Sequence, residues 1–264
     1  MDIADKKVVL TGATGGIGRA IARQLDDAGA RLILVGRNAE RLARLQRELA
    51  PDRHVAVAAD LSTAKGRRAV LEAAFETGID LLINNAGTNE FELFGSQSEE
   101  AIRNLVEINL VSPILLCREL LPILERRPDA AIVNIGSTFG SIGYPGFSTY
   151  SASKFGLRGF TEALRRELDG STVRVSYVAP RATKTELNSD AVVAMNAELG
   201  TAMDDPDRVA TQVLRTIRAT ARSDRYIGWP EKLFVRINAL FPGLVDNSLR
   251  KQLPVIRRFA TQKH

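Results

Sequence analysis

The sequence predicts a doubly wound α/β fold, a parallel sheet with helices on both faces. Short, continuous apolar runs recur along the chain, as strands buried on two sides require. Stretches of helical periodicity separate them, and strands alternating with right-handed helical crossovers build such a sheet. The first run leads directly into a glycine-rich turn that opens a helix.

At 264 residues, 45% of them hydrophobic, the chain suits one domain of this class with a large core. Asp2, Asp5, Lys6 and Lys7 surround the first strand where a secretory signal would be apolar, and no apolar run reaches membrane-spanning length. The single cysteine, Cys117, follows Ile114-Leu115-Leu116 in a helical run and reads as a packed thiol in a reducing, cytoplasmic setting. Only His54 and His264 exist, so neither a metal cluster nor a serine–histidine triad is expected. The net charge of +5 is uneven: residues 231–264 hold seven basic residues (Lys232, Arg236, Arg250, Lys251, Arg257, Arg258, Lys263) against Glu231 and Asp246, which leaves the rest neutral. No nucleic-acid-binding module is visible, and no such partner is expected.

Residues 7–10 form the first strand and run into TGATGGIG at 11–18. Glycines let the backbone turn tightly and approach a pyrophosphate, whose charge a helix N-terminus stabilises. Strand, turn and helix in that order are the context dinucleotide binding needs, with Gly12, Thr14, Gly15, Gly16, Ile17 and Gly18 as candidate contacts. The helix spans 19–28 and closes at Gly29. A second strand at 31–35 ends in Gly36-Arg37-Asn38. Roughly 20 residues past the glycine turn, a site selective for NAD(H) places an acid on the ribose. Here Arg37 stands instead, and its fork of donors suits a 2′-phosphate, so NADP(H) is expected over NAD(H). The alternative is a solvated arginine starting the next helix, at 39–49.

A third strand, 54–59, ends in Asp60-Leu61; the acid can accept from an adenine amino group or cap the following helix. The fourth, 80–83, is followed by Asn84-Asn85-Ala86-Gly87, where small residues let a cofactor ribose pass and the asparagines pin neighbouring strands. A helical pattern over 99–127 holds Asn109 and then Pro113, which predicts a kink filled by the Asn109 side chain or a water. The fifth strand, 131–135, delivers Ser137; Tyr150 and Lys154 then share one face of a helix running to 168, being four residues apart. A hydroxyl, a phenol and an ammonium converging at a strand's carboxyl end can transfer protons beside a redox cofactor. The sixth strand, 173–178, precedes Pro180, Arg181, Thr183 and Thr185; residues 181–206 read as a substrate lid.

These motifs in this order resemble the short-chain dehydrogenase/reductase family over residues 5–185, which implies a Rossmann-type fold. The resemblance implies that Tyr150 is the general acid/base and that Ser137 hydrogen-bonds the substrate carbonyl. It also implies that Lys154 binds the nicotinamide ribose and lowers the phenol's pKa, and that Asn109 holds a water linking Lys154 to solvent. Asn85, Ala86 and Gly87 would line the cofactor; Pro180, Thr183 and Thr185 would contact its carboxamide and phosphates. A homodimer or homotetramer through the helices near 100–127 and 151–168 is implied as well. The expected activity is NADP(H)-dependent reduction of an acyl, lipid or polyketide-like ketone to a secondary alcohol. An NAD-dependent alcohol dehydrogenase and a catalytically silent nucleotide-bound scaffold are the alternatives. One departure is Pro180-Arg181 where the family has Pro-Gly; Arg181 either meets an anionic substrate group or points to solvent.

Residues 229–264 form a basic amphipathic extension. Its apolar face is expected to pack on the substrate pocket or a sister subunit, with Pro230, Pro242 and Pro254 breaking any long helix. The other reading is peripheral contact with an anionic membrane.

Overall fold

The apolar runs become a seven-stranded parallel sheet in the computed structural model, which describes residues 1–50, 52–219 and 224–261. The strands are β1 (Lys7–Thr11), β2 (Arg31–Gly36), β3 (Val55–Ala58), β4 (Leu81–Asn84), β5 (Ala130–Ile135), β6 (Val173–Ala179) and β7 (Arg225–Tyr226). Their order is β3-β2-β1-β4-β5-β6-β7, so the chain reverses direction of growth between β1 and β4. Ligands bind at such a switch point, outside the carboxyl ends of the strands.

Strand side chains alternate between two cores because successive residues point to opposite faces. Val8, Leu10, Leu32, Leu34, Leu81 and Ile83 join the core beneath α1 (Gly16–Asp27) and α8 (Pro206–Arg218). Val9, Ile33, Val35, Leu82 and Ile132 join the other, beneath α3 (Ala64–Thr77) and α5 (Ser112–Leu124). Each buried aliphatic side chain contributes about 1.5–3 kcal/mol, which makes the sheet a stiff base for the loops above it.

Side-chain caps start several helices: Asn38 accepts from the Arg41 N–H before α2 (Ala39–Glu48), and Thr63 from the Gly66 N–H before α3. Where the sequence predicts a kink, the helix carries a π-turn. α4 (Glu99–Val106) passes through Glu107–Val111 into α5. Pro113 has no N–H for the Asn109 carbonyl, and the Asn109 side chain is drawn to the β4 loop; both favour the wider turn. α6 (Ser148–Glu167) carries Tyr150 and Lys154.

Three elements depart from expectation. β7 is too short to register as an apolar run, and α8 lies outside the expected elements although Asp205, Pro206 and the stripe of Val209, Val213 and Ile217 mark it. The extension folds as α9 (Glu231–Leu240) and α10 (Pro242–Ala260), and Pro254 does not break α10. Pro254 lies on the exposed side, where water can take the bond its ring removes. Pro242 instead sits in the first turn of α10, where the missing N–H costs nothing. The expected lid contains α7 (Asp190–Glu198), whose Val192 and Met195 are buried.

Candidate active site

The glycine turn is held by contacts only glycine allows. Gly12 has φ +62°, and a Cβ there would lie 2.8 Å from the Ala86 Cα. A Cβ on Gly18 would fall 2.1 Å from the Gly12 carbonyl oxygen. Across the switch point, Thr11 Oγ1 accepts from the Asn85 and Ala86 N–H groups (both 2.9 Å), and Asn85 Nδ2 donates to the Thr11 and Gly12 carbonyls (both 3.1 Å). Asn84 Nδ2 donates to Asn134 Oδ1 at 2.8 Å, so the asparagines do tie β1, β4 and β5 together.

The result is a groove of about 390 Å³ lined by the glycine turn with Thr14 and Ile17, by Arg37, Asp60 and Leu61, by Asn85, Ala86 and Gly87, and by Thr185. No side chain caps the N-terminus of α1, so its first N–H groups are free to meet an anion. Asp60 is held below the usual carboxylate range by the Ser62 hydroxyl and N–H, with Arg37 adding to the effect. It does not cap α3, whose cap is Thr63. Its side chain instead makes a local turn with Ser62 at 3.0 and 2.7 Å. Arg37 is exposed at the groove's edge.

Beside the groove opens a cavity of about 480 Å³, lined in part by Ser137, Tyr150 and Lys154. Ile17, Asn85, Gly87 and Thr185 border both spaces. Its remaining wall is mostly apolar, with Phe139, Phe147, Val192, Met195, Phe234 and Leu244 among its residues. Ser137 caps a short 3₁₀ turn, its Oγ accepting from the Phe139 N–H at 3.1 Å. Tyr150 packs edge-on against Phe139 and Phe147, with centroids 6.4 and 6.1 Å away.

Lys154 is 5% exposed, and its Nζ donates to the Ile135 carbonyl at 3.2 Å and lies 5.7 Å from the Tyr150 ring centre. Burial pulls the Lys154 ammonium down to about 8. The expected lowering of the phenol is not met: burial pushes Tyr150 above its ordinary value, and the Ser137 hydroxyl only partly opposes it.

Asn109 is 1% exposed. Its Oδ1 accepts from the Thr88 N–H at 2.9 Å, while Nδ2 donates to the Thr88 carbonyl (2.8 Å) and Ser153 Oγ (3.2 Å). Ser153 Oγ in turn donates to the Tyr150 carbonyl at 2.7 Å, linking the π-turn to α6. Thr183 Oγ1 donates to the Arg181 carbonyl at 2.9 Å, and the Pro180 carbonyl accepts from the Thr138 N–H (3.0 Å) and hydroxyl (3.2 Å). Thr185 packs against Gly16, where a Cβ would lie 2.7 Å from its Cγ2.

Arg181 neither points to solvent nor offers a free charge to a substrate. Its guanidinium bonds Asp204 Oδ1 at 2.9 Å, Glu231 at 3.1 and 3.2 Å, and the Trp229 carbonyl at 3.2 Å. Two acids and a carbonyl use its fork of donors, so the side chain clamps Asp204 to the start of α9.

Sequence reasoning missed Tyr177. Its ring is fully buried beneath Gly136 and Gly140, where an added Cβ would lie 1.9 and 2.2 Å from it. The hydroxyl accepts from the Ser137 N–H at 3.2 Å and faces the Ser137 and Lys154 carbonyls at 3.3 and 3.4 Å. A phenol inside an apolar strand opposite two glycines was the available signal. Tyr177→Phe is expected to cost about 1–3 kcal/mol, because the buried Ser137 N–H loses its acceptor. It should also lower kcat more than it raises KM; an unchanged kcat in the folded variant would reduce Tyr177 to a packing residue.

A sequence profile described as short chain dehydrogenase matches residues 6–195. The chain belongs to that family. Family membership makes it an oxidoreductase using a nicotinamide cofactor on a small-molecule substrate. It is 34% identical over 256 residues to the bovine "Dehydrogenase/reductase SDR family member 7B", covering 90% of this chain and 78% of that protein. Two solved family structures share its fold. A Burkholderia cenocepacia short chain dehydrogenase in complex with NADP is 26% identical, with TM-score 0.81 and coverage of 94% of this chain and 99% of that one. A Brucella melitensis 3-ketoacyl-(acyl-carrier-protein) reductase complexed with NADH is 25% identical, with TM-score 0.80 and coverage of 87% and 99%. Among the described residues, no helix is long and apolar enough to cross a membrane, and no cluster of His, Cys, Asp or Glu is placed to hold a metal ion. Cys117 is buried against Asn84, and burial pushes its thiol up to about 12, as a packed core thiol requires.

Proposed function

We propose that this chain is an NADP(H)-dependent reductase that converts an apolar ketone, acyl, lipid or polyketide-like, into a secondary alcohol. The observation that carries this reading is that Ser137, Tyr150 and Lys154 line one mostly apolar cavity bordering the glycine-turn groove. A bound nicotinamide would supply the hydride, which is the hard step of the chemistry. Gly12, Thr14, Gly15, Gly16, Ile17 and Gly18 would hold its pyrophosphate at the N-terminus of α1. Asp60 and Leu61 would flank the adenine, Asn85, Ala86 and Gly87 the middle of the molecule, and Pro180, Thr183 and Thr185 the nicotinamide end.

The residues then divide the proton work. Tyr150 gives its hydroxyl proton to the ketone oxygen as that oxygen gains negative charge. Burial keeps the phenol neutral at neutral pH, which is the form a reduction needs. Ser137 Oγ donates to the same oxygen and fixes its position. Lys154, protonated below about 8, holds the ribose and stabilises the phenolate that remains. The Asn109 side chain is fully engaged with Thr88 and Ser153, so its carbonyl, which Pro113 cannot bond, is the atom that would hold a water leading to Lys154.

Preference for NADP(H) rests on Arg37 at the groove's edge, and the Burkholderia complex with NADP supports it, whereas the Brucella complex with NADH shows that close fold relatives differ. Titration should give NADPH the lower Kd by about 10–100-fold, with Arg37→Asp reversing the order. Equal affinities in the wild type would overturn the preference. Loss of NADPH absorbance with a ketone panel tests the reaction itself.

A further inference from the structure

The hairpin of α9 and α10 buries one apolar face and leaves another bare. Val235, Val245 and Ile256 are at most 8% exposed, whereas Trp229, Leu233, Phe234, Leu240, Phe241 and Leu244 are 42–73% exposed. Five of the twelve large apolar side chains exposed among the described residues therefore lie on this one hairpin, and Trp229 stands just before it. Single exposed apolar residues are ordinary, but a cluster marks a surface that meets something. Phe234 and Leu244 also line the substrate cavity, so its mouth opens within the patch.

Cations frame the patch. Lys232 and Arg236 on α9 and Arg250 and Lys251 on α10 are all exposed. Arg236 precedes Leu240 by one helical turn, and Lys251 follows Leu244 by two. Acids do not cancel them: Glu231 is paired with Arg181, which leaves Asp246 as the exposed acid of the hairpin. A second copy meeting this face symmetrically would bring like cations together. Anionic headgroups would pair with those cations while hydrocarbon takes the tip residues Leu240 and Phe241.

We propose that the α9–α10 tip docks the chain on an anionic bilayer surface, and that the cavity takes its apolar ketone from the lipid at that mouth. The second part rests on the ketone-reductase reading; the docking does not. Trp229, the only tryptophan of the chain, precedes α9 at the end away from the tip, so insertion is read from Phe241→Trp in a Trp229→Phe background. The full chain should pellet with phosphatidylserine/phosphatidylcholine vesicles, and the tryptophan placed at position 241 should shift its emission to the blue. Binding should weaken with salt and drop roughly fivefold for each of Lys232 and Arg236 changed to Ser.

Leu240→Glu/Phe241→Glu lies outside the cavity wall; it should lose binding about tenfold or more while turnover of a small soluble ketone is unchanged. Vesicle binding needs no turnover, so docking and the reductase reading fail separately. No blue shift, equal pelleting with pure phosphatidylcholine, or a dimer that Leu240→Glu/Phe241→Glu dissolves would overturn the proposal.

Discussion

Tyr150→Phe is expected to lower kcat for NADPH-dependent ketone reduction by about 10²–10⁴-fold, with cofactor affinity unchanged. Phenylalanine keeps the ring that packs on Phe139 and Phe147, so the cavity wall survives and only the transferable proton is removed. The pH profile supplies a second, independent readout. Burial favours the neutral amine of Lys154, so its charge is present below about pH 8 and lost above it. Reductive kcat/KM should therefore be level at neutral pH and fall as pH rises past about 8. Tyr150 cannot impose that limb, since burial raises the phenol further. Lys154→Arg stays charged across the range and should carry its plateau to higher pH, even at reduced rate. A Tyr150→Phe enzyme that keeps most of its rate would assign the proton to another group.

What the sequence revealed of this site was what lies close along the chain. TGATGGIG after a strand and Tyr150 four residues before Lys154 are short-range patterns, each tied to one local geometry. The alternation of cores on the sheet's two faces follows from continuous apolar runs for the same reason. Contacts between distant segments leave no such trace. Tyr177 reaches Ser137 across 40 positions, and Arg181 reaches Glu231 across 50. A tyrosine in a strand and an arginine after one are each compatible with many environments until the chain is folded. Pro254 misled because a proline's cost depends on whether its face is wet, and the tail's pattern alone did not say so. The motif shows the ammonium beside the phenol, whereas the burial that raises Tyr150 depends on the folded chain.

Arg181→Ala is expected to destabilise the protein by about 3 kcal/mol and to loosen the cover of the cavity. Asp204 is 3% exposed and accepts from Arg181 at 2.9 Å and from Arg208 at 3.0 Å. Its second oxygen is buried without a partner, so the carboxylate already has little to spare. Removing Arg181 leaves it to Arg208, whose side chain is 57% exposed and whose charge water screens. Glu231 and the Trp229 carbonyl lose their donor in the same step, and these are the contacts that fasten the start of α9 to the segment after β6. Urea unfolding should show the loss, and Arg181→Ala/Asp204→Ala should recover much of it, because the stranded charge is then gone. If the hairpin depends on this clamp, KM for a bulky ketone should rise in Arg181→Ala while kcat for a small one holds. Stability equal to wild type would mean that Arg208 alone neutralises Asp204. The arginine in place of the family's glycine would then have to be explained by its effect on the backbone.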